Sequence, residues 1–132
     1  MNFGKGLPSM LRDQDPFGQA LPSRQRRIGS GLAPRVVRSV LALAGRSAQL
    51  IDHRERPWAS VTFSGARHTV VLRYTGWEAC DDGEALIAAL PDHEFTVPGA
   101  LVADVTVVRT DEAVLPERTL EVELELLLLD QG

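Results

Sequence analysis

Residues 119–130, TLEVELELLLLD, alternate apolar and acidic positions and then close on four consecutive leucines before Asp130. A period of two is the mark of a β-strand, whose side chains point in turn to opposite faces. Leu120, Val122, Leu124, Leu126 and Leu128 share one face, and Glu121, Glu123, Glu125, Leu127 and Leu129 share the other. A strand of this kind belongs in an antiparallel sheet with one face packed and one face wet. The packed face then requires a covering layer of helices.

Two segments can supply that layer. PRVVRSVLALAGRSAQLI (34–51) has helical spacing, and Pro34 suits a first helical position. Val37, Leu41, Ala44, Ala48 and Ile51 form its apolar stripe, which Val36, Val40 and Leu43 widen. DHRERP (52–57) is read as the break after it. A second helix is expected from Asp81, a cap with Glu84 three residues on, to Leu90 before Pro91. That reading leaves Cys80 just ahead of the helix.

The remaining strands are WASVTFSG (58–65), RHTVVLRYTG (67–76) and LVADVTVVRT (101–110). Gly65 and Ala66 are expected to turn the first hairpin. In the third strand, simple alternation puts Val102, Asp104, Thr106 and Val108 on the open face with Leu127 and Leu129. The order α-β-β-α-β-β predicts an α+β fold: a two-layer α/β sandwich, with an antiparallel sheet of about four strands and two helices on one face.

Residues 1–33 are rich in glycine and proline and have no steady period, so they read as a flexible or surface-draped basic arm. Residues 34–132 read as a single α+β domain. Residues 1–56 carry ten basic and four acidic side chains, and the rest carries four basic and fourteen acidic. This asymmetry suggests that the arm, with Arg24, Arg26 and Arg27, packs on an acidic surface of the same chain or of a second copy. Contact with nucleic acid is the weaker use of those arginines. Phe17 is the only ring near them to stack on bases, and the domain that follows is acidic.

A chain of 132 residues with 44% hydrophobic content can fold without a metal or a disulfide. One cysteine excludes an intrachain disulfide and fits a reducing compartment. MNFGKGLPSM has no charged region followed by an apolar run, and no stretch is long enough to span a membrane, so a cytoplasmic chain is expected. No phosphate-binding or hydrolase motif is present and no cofactor is expected.

The leading functional expectation is a non-enzymatic protein-interaction or structural domain. It would be a homo-oligomer or bind another protein, through Leu127, Leu129, Val102 and Val108 on the open sheet face or through the arm. The alternative is a small-molecule-binding protein or an enzyme with a cleft near Trp77, Cys80 and His93, with His68 as a further catalytic candidate. Cys80 sits beside Asp81 and Asp82, which disfavour a thiolate.

Overall fold

The computed structural model describes residues 22–131, with side chains described from Leu32 onward. The chain divides between Gly31 and Leu32, and the fold below is that of the second part. Its elements are α1 (Pro22–Ala44), β1 (Gln49–Ala59), β2 (Ser64–Thr75), α2 (Trp77–Ala89), a 3₁₀ turn (Leu90–Asp92), β3 (Ala100–Ala113) and β4 (Thr119–Asp130). The strands form one antiparallel sheet in the order β1-β2-β4-β3. The two helices cover one face, giving the two-layer α+β architecture that the element order predicts.

β4 follows its alternation without a slip. Leu120, Val122, Leu124, Leu126 and Leu128 are all buried, and the residues between them are half-buried on the other face. Val70, Leu72 and Tyr74 of β2 lie beside them. Above this floor pack Val36, Val40 and Ala44 of α1 and Cys80 and Leu86 of α2, with Leu90, Phe95 and Val97 closing the end. Gly83 lets α2 approach closely: a Cβ there would stand 2.7 Å from both Tyr74 and Leu120. The Tyr74 hydroxyl, held by burial and by the nearby Asp82 charge as a phenol with its pKa pushed up to about 12, donates to the Ala44 carbonyl at 3.0 Å.

Several boundaries differ from the expected ones. α1 begins at Pro22, so Pro34 lies inside it rather than at its first position, and residues 22–33 of the expected arm are helical. It ends at Ala44, where Gly45 at φ 93° takes the left-handed conformation that closes a helix and donates to the Leu41 carbonyl. DHRERP is therefore strand, not a break: it is the middle of β1, an edge strand with charge on its open side. Pro57 is tolerated there because an edge strand has amides that need no ladder partner.

The first hairpin turns at Ser60–Phe63, where the Ser60 amide donates to the Phe63 carbonyl, and not at Gly65 and Ala66. Gly65 serves instead at a close approach, since a Cβ there would overlap the Leu128 carbonyl. α2 begins one turn before the expected cap, after Gly76 at φ 98°. Cys80 is thus inside the helix, and Asp81 and Glu84 do not form a capping box.

β3 departs most. Its pairing with β4 shifts between Val102 and Asp104 and again between Val107 and Arg109. The bulge at Ala103 puts Val102 opposite Leu128 on the packed face, with Val105 and Val107, and not on the open face. Val108 sits in the second bulge and is exposed.

Candidate functional site

The pairing registers assemble the open face row by row. One end reads Trp58, Gly65, Leu129, Leu101 across β1, β2, β4 and β3. The next row reads Arg56, Arg67, Leu127, Asp104, and the third reads Arg54, Thr69, Glu125, Thr106. Asp52, Val71, Glu123 and Arg109 follow, then Gln49, Arg73, Glu121 and Asp111. Apolar side chains thus collect at one end, and the remaining rows are mostly charged or polar, with Val71 buried among them. The β1–β2 turn at the apolar end adds Phe63 and the fully exposed Val61.

The glutamate row is compensated within the sheet. Arg73 donates to Glu121 through Nε at 3.1 Å and Nη2 at 2.8 Å. Arg109 reaches Glu121 at 3.2 Å and Glu123 at 3.1 Å. Arg67 lies 3.4 Å from Glu125, and Arg54 lies 3.7 Å from Glu123 and 3.0 Å from Asp52. The hydrogen bonds from Arg73 and Arg109 hold the Glu121 carboxyl below the usual range. Across the face, Arg54, Arg56, Arg67, Arg73 and Arg109 stand against Asp52, Asp104, Asp111, Glu121, Glu123 and Glu125. Arg73 and Asp104 do not meet, being three rows apart.

A shallow cup of about 230 Å³ opens among Arg54, Arg56, Arg67, Thr69, Glu123 and Glu125. Arg56 and Arg67 are directly opposed like charges, an arrangement that costs energy unless an anion screens it. Among the described residues Arg56 has no carboxylate partner within 4 Å.

The expected cleft near Trp77, Cys80 and His93 is not assembled. Cys80 is fully buried and turns inward, its thiol on the Tyr74 carbonyl at 3.6 Å, and burial pushes its pKa up. Trp77 opens α2, whereas His93 follows the 3₁₀ turn beyond its far end, about 20 Å along the axis. His93 stacks edge-on against Phe95 at 4.4 Å. Trp77 carries the Arg118 guanidinium 4.9 Å over its ring, and Arg118 also binds Asp81 and Glu84. A hollow of about 450 Å³ beside Trp77 is lined by Ser47, Thr75, Gly76, Glu78, Ala79 and Asp82.

His68 is fully buried on the packed face and meets His53, with Nδ1 and Nε2 2.9 Å apart and rings stacked at 5.2 Å. Its own Nε2 has no hydrogen-bond partner among the described residues. Burial first, and the neighbouring His53 second, lower the His68 pKa to about 4, so it is neutral at pH 7. Arg24, Arg26 and Arg27 fall in the first turns of α1, and their side chains lie outside the described residues, as does the segment 1–21.

Sequence reasoning missed Trp58 and Leu101 as members of the apolar end. Trp58 was legible as a strand residue, but its face depends on the position of the hairpin turn. No protein-family model matches the chain, and no curated protein and no solved structure matches it. No helix among the described residues is long and apolar enough to cross a membrane.

Proposed function

We propose that this chain is a protein-contact domain that binds through the apolar end of its open sheet face. The observation that carries this reading is the continuous row Trp58, Gly65, Leu129, Leu101, flanked by Leu127 and Phe63. A contiguous apolar patch rimmed by charge is the usual form of a contact surface. The in-sheet pairing of Glu121, Glu123 and Glu125 supports the same reading, because a partner laid over the face meets little uncompensated acid.

A photo-crosslinking side chain at Leu101 tests it, with one at the exposed Glu94 in the helix-side connector as control. In native cells, position 101 should yield discrete protein adducts and position 94 should not. Equal adducts from both, or none from 101, would exclude this end as the contact surface.

A further inference from the structure

We infer that the partner on this face is a second copy of the chain, docked face to face about a twofold axis parallel to the strands. The inference rests on the contact reading above and names the occupant. Such an axis lays β1 of one copy over β3 of the other, row upon row. The apolar end then meets itself, with Trp58 over the partner's Leu101 and Leu129 over the partner's Gly65. In the second row Arg56 lies over the partner's Asp104, and by symmetry Asp104 lies over the partner's Arg56.

That last pair is the decisive complementarity. Arg56 is left without a carboxylate among the described residues, in a cup where Arg54, Arg56 and Arg67 exceed Glu123 and Glu125 by one charge. Asp104, at the opposite edge of the same row, has among the described residues only the Thr106 hydroxyl at 3.4 Å. One unmatched cation and one unmatched anion, placed at equal distances on either side of the sheet's midline, satisfy each other twice in a twofold pair. The partner's Asp104 supplies the single negative charge the cup lacks.

Other placements of the axis do worse. Set across the strands at the centre of the face, it puts Leu129 and Leu127 on the partner's glutamates. Moved to the apolar end, it leaves most of the face uncovered. Packed sheets cross at about 30°, which at roughly 7 Å from the axis shifts edge pairs by about one residue, within the reach of an arginine. Four strands about 4.8 Å apart and on the order of 33 Å long offer roughly 600 Å² each, close to the side of a standard interface.

The test uses the full chain and its variants Arg56→Asp, Asp104→Arg and Leu129→Glu, followed by sedimentation velocity and circular dichroism. All three positions are on the open face, so the variants should keep the wild-type spectrum. The wild type should dimerise. Arg56→Asp and Asp104→Arg alone should each weaken the dimer tenfold or more, because each creates two like-charged contacts. Mixed in equal amounts they should form a heterodimer. The introduced aspartate of one copy then faces the introduced arginine of the other, and the two unaltered side chains, Asp104 and Arg56, face each other as in the wild type. A monomeric wild type at all concentrations would overturn the second copy as occupant, while the crosslinks from position 101 would still judge the contact surface. A dimer lost in Leu129→Glu but indifferent to the charge variants would overturn this axis and leave the apolar contact standing. A dimer indifferent to all three would overturn both.

Discussion

His68 shows how one side chain ties this fold to pH. It sits on the packed face of β2, opposite Glu55 of β1 and Leu126 of β4, and among the described residues its ring hydrogen-bonds only to His53. Burial opposes its protonated form, so its folded pKa of about 4 lies below the ordinary 6.5. The unfolded chain takes up this proton first as pH falls. The His68 contribution is therefore complete above pH 6.5 and is lost between 6.5 and about 4, at most on the order of 3 kcal/mol. His53, whose pKa is also lowered by burial, acts in the same direction. Urea unfolding of wild type and His68→Leu at pH 7.5 and pH 4.5 checks this. The variant should lose clearly less stability between the two, because leucine has no proton to gain and removes the unpartnered Nε2. Equal losses would assign the acid sensitivity to other groups.

The elements meet at contacts small enough to test singly. Gly83→Ala places a methyl 2.7 Å from Tyr74 and Leu120 and should cost about 1–3 kcal/mol in a thermal melt, despite the better helix propensity of alanine. The Arg73–Glu121 pair on the open face is partly screened, so a double-mutant cycle to alanine should return a coupling of only about 0.5–1 kcal/mol, reduced by salt. These element-level features were legible to different depths. The alternation in β4 is strict, and it reads correctly because its ladder with β2 runs without a shift and the two bulges in its ladder with β3 fall on β3. β3 alternates as cleanly in sequence, yet bulges at Ala103 and Val108 reverse the faces of Val102 and Arg109, and no residue type announces a bulge there. β1 was half hidden because an edge strand with charge on its open side carries too few apolar residues to show a period. The arginine partners of the glutamates were hidden for a related reason. Register, not local pattern, sets Arg73 beside Glu121 and Arg67 beside Leu127 and Glu125.

At the scale of the whole molecule, the order β1-β2-β4-β3 puts the last strand in the chain at the centre of the sheet. Among the described strands β3 pairs only with β4, and within the sheet β2 is joined to β3 only through it. β4 also supplies five of the buried side chains under both helices. The core is therefore incomplete until residues 119–130 are in place, and stability should fall steeply from centre to edge. Leu124 and Val107 make a matched comparison, because they are cross-strand neighbours on the packed face, one fully buried in β4 and one half-buried in β3. Leu124→Ala should cost about 2–5 kcal/mol, since the covered site cannot collapse around the space left behind. Val107→Ala should cost about 1 kcal/mol or less, because fewer methyls are removed and water already reaches the edge. Urea denaturation of the two variants under one buffer gives both values. Similar costs would mean that β3 carries the core as fully as β4, and that the edge position of β3 leaves its packed face as well covered as the centre.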